Sequence, residues 1–137
     1  MTFSDFFDRI NNLDWLAVVV GALVFMVVGF LWYGPLFGKA WSKATGVAMT
    51  GGMPRPDKMG WTFVYSFVLS SAVNYFGVLD KIEHSLIVGI MLGFFVAGAA
   101  AYSQVVWENR KHSVWMIDTI YLFVAISIVA YVQGLMA

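Results

Sequence analysis

The chain has 137 residues, 61% of them hydrophobic and 12% charged, against about a quarter charged in a soluble domain. Formal net charge is zero and cysteine is absent, which argues against a nucleic-acid partner and excludes disulfides, thiolate metal sites and cysteine nucleophiles. Two histidines leave little scope for a histidine metal cluster.

Residues 1–14 carry Asp5, Asp8 and Asp14 against Arg9. They lack a basic stretch leading directly into a short apolar core, so they do not read as a secretory signal. Phe3, Phe6, Phe7, Ile10 and Leu13 follow helical spacing, with Asp5, Asp8, Arg9 and Asn12 largely opposite. This predicts an interfacial amphipathic helix at 3–13. Asn12 or Asp14 is placed to cap the helix that follows.

A bilayer core about 30 Å thick takes about 20 apolar residues per helix. Four segments meet that length, at approximately 15–33, 60–79, 85–107 and 114–135. The sequence therefore predicts an all-α fold: a single integral membrane domain over 1–137, built as a four-transmembrane-helix bundle, with short interfacial helices at 3–13 and 36–45.

The first span ends in Trp32, Tyr33, Gly34 and Pro35. Trp32 and Tyr33 suit the headgroup zone, where a ring is half buried and its polar tip is wetted. Gly34-Pro35 is expected to break the helix, because proline lacks an amide and restricts the residue before it. Beyond it, Leu36, Phe37, Ala40, Trp41 and Ala44 fall on one face, and Lys39 snorkels at the boundary. Glycine and proline between Gly46 and Gly60 predict an irregular, mobile loop.

In the second span Thr62, Ser66, Ser70 and Asn74 recur every four residues. Four residues advance about 400°, so they form one slowly drifting stripe. Such a stripe faces protein rather than lipid, either as helix-packing hydrogen bonds or as the lining of a polar pathway. In the third span Gly89, Gly93, Ala97 and Ala101 repeat the same step, a small-residue face for close backbone packing, within the chain or against a second copy.

Asn109-Arg110-Lys111-His112 predicts an antiparallel hairpin between the third and fourth spans. Folding it about residue 110 puts Asp118 level with Tyr102 and Ser103. Asp118 is the one ionisable group inside a predicted span. It costs about 2.5–3.5 kcal/mol at a helix centre and less near an end. Asp118 with Tyr121, Tyr102, Ser103 and Gln104 forms a candidate polar cluster. It reads either as a protonatable or cation-binding site or as a hydrogen-bonded structural acid. Gln133, near the far boundary, reads as hydrated. His84 and His112 fall at opposite ends and cannot share a site. No metal spacing, phosphate loop or catalytic set is present, so no enzyme activity and no cofactor is expected.

Lys39, Lys43, Arg55, Lys58, Arg110 and Lys111 lie on one side of the predicted spans, and Arg9 and Lys81 on the other. By the positive-inside rule the richer side is cytoplasmic. An even number of spans then places both termini outside, in the inner membrane of a bacterium.

Three stretches give the chain a family likeness. They are Asp14-Trp15-Leu16-Ala17-Val18 running into Trp32-Tyr33-Gly34-Pro35-Leu36-Phe37-Gly38-Lys39-Ala40-Trp41; Leu92-Gly93-Phe94-Phe95-Val96-Ala97; and Ser103 to Arg110 leading into Ile117-Asp118-Thr119-Ile120-Tyr121. The chain resembles the DUF1761 family of small bacterial membrane proteins. The resemblance implies a multi-span protein and carries over no catalytic residues. That family often has Asn at the position of Asp118, which implies that a proton relay there is not a family-wide mechanism. The leading functional expectation is a non-enzymatic subunit that self-associates or joins a membrane assembly, with the lipid bilayer and a second copy or another membrane protein as partners. The alternative is a small-solute or ion pathway through the Thr62–Asn74 stripe and the Asp118 cluster.

Overall fold

The computed structural model describes residues 1–48, 54–77 and 79–137. Among the described residues six helices follow one another: α1 (Phe3–Asn11), α2 (Trp15–Leu36), α3 (Gly38–Thr45), α4 (Pro56–Tyr75), α5 (Ile82–Trp107) and α6 (His112–Met136). The expected loop at 46–60 falls partly at 49–53, outside the described residues. Its later part is helical, because Pro56 opens α4 from a first-turn position where no amide is needed.

Helix α1 starts from a capping box. Thr2 Oγ1 accepts from the Asp5 amide at 3.2 Å, and Asp5 Oδ2 accepts from the Thr2 amide and hydroxyl at 2.7 and 2.8 Å. These two donors hold the Asp5 carboxyl below its ordinary range. Because the folded value is lowered, the box is fully made above the unfolded carboxylate value of about 3.9 and is lost as pH falls through the lower folded value. Amide exchange in α1 is expected to stay slow through pH 5 and to quicken only in stronger acid. The helix docks on the end of α4, where Arg9 Nη1 donates to the Tyr75 carbonyl at 3.3 Å and Phe6 meets the Tyr75 ring at 5.6 Å.

Asp14 caps α2 by accepting from the Ala17 amide at 3.1 Å. The helix does not break at Gly34-Pro35. Pro35 offers no amide, so the ladder skips a residue and widens into a π turn over Trp32–Leu36, where the Phe37 amide reaches the Trp32 carbonyl at 2.7 Å. Trp32 and Tyr33 thus sit in the last turn of the span, and the chain bends at Phe37. Helix α3 ends at Gly46, whose φ of 77° closes it in the left-handed region.

Among the described residues three helices are long and apolar enough to cross a membrane: α2, α5 and α6, with mean hydropathies of 2.5, 2.0 and 1.9. The expected four-transmembrane-helix bundle is therefore corrected to three spans, and the proposed span at 60–79 is the one that fails. Helix α4 spends its first turn on Pro56, Asp57 and Lys58, then carries Thr62, Ser66, Ser70, Ser71 and Asn74. It stops at Tyr75, with Gly77 at φ 77° just beyond, so Phe76 and Gly77 lend it no apolar length. The parity argument for the termini loses its premise with that span. Geometry still brings the ends together: α4 lies antiparallel on α2 and returns the chain to the pole where α2 began, and α6 finishes beside both.

Helix α6 is the axis. Its apolar window is 44% buried, against 28% for α2 and for α5, so the other spans wrap it and face lipid with the rest. Tyr121, Ala125, Ile126, Val129 and Ala130 of α6 form the core with Phe25, Val73 and Val88. Helix α5 reaches this axis through glycine. A Cβ on Gly89 would overlap Ser127, on Gly93 would sit 2.8 Å from the Phe123 backbone, and on Gly98 would sit 2.6 Å from Thr119 Cγ2. Residues 119, 123 and 127 form a four-step row on α6. The facing row on α5 steps by four and then by five, because residues 89–98 form a π-helix. Gly98 therefore takes the buried position expected for Ala97, which is only half-buried, as is Ala101.

Candidate functional site

Most of the side-chain hydrogen bonds between the long helices lie toward two opposite poles. At the pole shared by the start of α2 and the end of α6, Gln133 is 1% exposed. Its Nε2 donates to the Ala17 carbonyl at 3.2 Å, the Ser70 carbonyl at 3.3 Å and Ser70 Oγ at 2.9 Å. Ser70 Oγ donates in turn to the Val18 carbonyl at 2.7 Å. Asn74 Nδ2 reaches Gln133 Oε1 at 3.4 Å, and its Oδ1 accepts from the Asp14 amide at 3.1 Å. Gly21 makes the knot possible, since any Cβ there would overlap Ser70 Oγ. Three helices are tied in one place, with the polar atoms turned on one another rather than on water.

The Thr62–Asn74 stripe is thus split in use. Ser70 and Asn74 belong to the knot, and Thr62 bonds its own Lys58 carbonyl at 2.7 Å. Ser66 is buried with its hydroxyl unpartnered.

The opposite pole holds Asp118. Tyr33 Oη donates to Asp118 Oδ1 at 2.6 Å, and Arg110 Nη1 stands 3.8 Å from Oδ2. Arg110 bonds Gln104 Oε1 instead, at 2.5 Å. Asn109, in the left-handed region at φ 54°, makes the sharp turn that brings Arg110 back. Tyr121 Oη donates to the Phe25 carbonyl at 3.0 Å, and Trp32 Nε1 to the Ile117 carbonyl at 3.2 Å. A cavity of about 490 Å³ opens here, lined by Tyr33, Gly38, Trp41, Ala48, Tyr65, Asp118, Tyr121 and Leu122. A smaller one of about 170 Å³ shares Tyr33, Tyr65 and Tyr121 and reaches inward to Phe25 and Gly29.

Of the five residues expected in the Asp118 cluster, Asp118 and Tyr121 share the cavity wall, and Gln104 joins through Arg110. Tyr102 bonds His112 Nε2 at 3.1 Å and stacks edge-on against Trp115, while Ser103 bonds the Ala100 carbonyl in its own helix. In the 32–41 motif Tyr33 and Trp41 enter the cavity wall, whereas Lys39 is exposed and Gly34 faces open space. Among the described residues no group of three or more His, Asp or Glu is placed to hold a metal ion.

A family model, DUF1761, described as a protein of unknown function, matches residues 16–134. The chain belongs to the DUF1761 family. No curated protein matches it and no solved structure does. The DUF1761 match takes in nearly all of α2 to α6, leaving residues 1–15 and 135–137 outside. What this DUF1761 chain adds to the sequence reading is Tyr33 as the partner of Asp118 and Gln133 as a tie rather than a hydrated end residue. Depth arithmetic would have found the first, since Tyr33 ends one span and Asp118 lies in the second turn of another.

Proposed function

We propose that the protein is a non-enzymatic, non-conducting accessory subunit of a membrane assembly. The observation that carries this reading is the Gln133 knot. A pathway from the Asp118 cavity has to leave at the far pole, and Phe25, Val129, Ser70 and Gln133 fill that route, each exposed by 1% or less. The small-residue face of α5 is spent on α6 of the same chain, so association with a second copy or another membrane protein falls to the outward faces. The chain then acts as one membrane domain. In a bacterial inner membrane the pole bearing Lys39, Lys43, Arg55, Lys58, Arg110 and Lys111 faces the cytoplasm, with both termini at the other pole.

The second reading, a solute or ion pathway, is favoured by the cavity beside Asp118. Liposome flux separates the two. Reconstituted protein is expected to pass protons and monovalent ions no faster than protein-free liposomes, with Asp118→Asn unchanged. Flux above that baseline makes the chain a pathway. Extraction in mild detergent is expected to retain a stoichiometric partner or a defined oligomer, and a bare monomer ends the accessory reading.

A further inference from the structure

The cavity at the basic pole has a wall unlike the rest of the bundle. Four aromatic side chains and one carboxylate line it: Tyr33, Trp41, Tyr65, Tyr121 and Asp118. Tyr33 crosses Trp41 at 77° with ring centres 5.8 Å apart, and crosses Tyr121 at 66° with centres 5.2 Å apart. Rings crossed this steeply form adjoining walls rather than a flat stack, and ring faces carry negative potential. A volume of about 490 Å³ falls within the range of small-molecule pockets, about 300–1,000 Å³.

The carboxylate is only partly neutralised from within. Its one ion pair among the described residues is with Arg110 at 3.8 Å, longer than a charge-assisted hydrogen bond of about 2.7–2.9 Å. The Arg110 side chain is 36% exposed and bonds Gln104. Its attraction for Asp118 is therefore screened. A hard metal ion would need several oxygen ligands, and here there is one acid. An anion would meet Asp118 directly. The group that gains from both parts of the wall is a weakly hydrated organic cation, since aromatic faces bind alkylammonium groups by cation–π attraction and the carboxylate supplies the counter-charge.

We propose that this cavity is an alkylammonium-binding site, with the cation set against Tyr33, Trp41, Tyr65 and Tyr121 and paired with Asp118. The site stands whether or not the bundle works with a partner protein. The ammonium belongs either to a phospholipid headgroup or to a free amine, because the cavity lies at the end of the spans where both have access.

Calorimetric titration of the full chain in a non-ionic detergent tests this, with tetramethylammonium chloride as probe and sodium chloride at equal ionic strength as control. Saturable binding is expected for tetramethylammonium alone, weakened at least tenfold in Asp118→Asn and in Tyr65→Leu. The amide introduced by Asp118→Asn would still accept the Tyr33 hydroxyl, and Tyr65 is 52% exposed, so the second variant reads the site even where the first does not fold. No saturable heat, the same heat with sodium, or binding indifferent to both variants overturns the proposal. Repeating the titration in nanodiscs identifies the source. Weaker apparent binding in phosphatidylethanolamine discs than in discs of a neutral glycolipid shows the headgroup competing and assigns the site to lipid. Equal binding in both assigns it to a free amine.

Discussion

Gly21→Val is expected to lower the stability of the folded chain by about 3 kcal/mol, near the top of the usual range for overpacking, and more than any loss of a single polar group in the bundle. The glycine sits where α2, α4 and α6 meet. A Cβ there would overlap Ser70 Oγ, lie 2.7 Å from Gln133 Nε2 and 3.0 Å from Val129 Cγ1. Neither polar neighbour can swing away cheaply. Ser70 is held by the Val18 carbonyl, and Gln133 by Ala17 and Ser70. Accommodation therefore means moving α4 or α6 off α2, which opens the core around Phe25 and Val73. By comparison, Gln133→Leu removes the amide but keeps the volume. It is expected to cost about 1 kcal/mol, as hydrogen bonds between membrane helices do, because each carbonyl it served keeps a bond within its own helix. Denaturant titration in detergent micelles, following helical circular dichroism, orders the two. A Gly21→Val protein as stable as the parent would mean the three helices do not meet at this residue.

The two poles also show which parts of the molecule a sequence can disclose. Length and apolarity announce α2, α5 and α6, since a helix in lipid has to satisfy its own backbone and show lipid an apolar surface. The same criterion misleads for α4. An uncharged run from Met59 to Leu79 looks sufficient, yet the helix is set by Pro56 at one end and Gly77 at the other, and it stops short of where apolarity suggests. Asp118 is legible because a lone acid in an apolar run stands out, while its partner shows only when the depths of two spans are compared. Tyr33 is 85 residues away, and as an aromatic at a span end it already has a sufficient explanation. Gln133 is hidden for the opposite reason. A single amide near a helix end looks hydrated, and its burial depends on Gly21, far earlier in the chain, leaving room for it. The small-residue face of α5 is visible as a pattern, while its register is not. Period-four arithmetic assumes α-helical bonding, and nothing in Gly89 to Gly98 announces the wider turn.

That register has its own test, and the difference it makes is large. If α5 were α-helical throughout, Gly93 would be followed on the packed face by Ala97, and Gly98 would be turned aside. With the π stretch, the row runs Gly89, Gly93, Gly98. Gly93→Leu is expected to cost about 3 kcal/mol or more, because its Cβ already lies 2.8 Å from Phe123 Cα and N and a backbone cannot rotate out of the way. Gly98→Leu is expected to cost about 2 kcal/mol, since Thr119 Cγ2 at 2.6 Å belongs to a side chain with some freedom. Ala97→Leu, at a half-buried site beside lipid, is expected to cost well under about 1 kcal/mol. Denaturant midpoints of the three variants decide the matter by their order rather than their size. If Ala97→Leu is the more damaging of the last two, α5 meets α6 in α-helical register. The contact between Gly98 and Thr119 that fixes the upper half of the bundle, and with it the hairpin carrying Arg110 back toward Asp118, would then have to be redrawn.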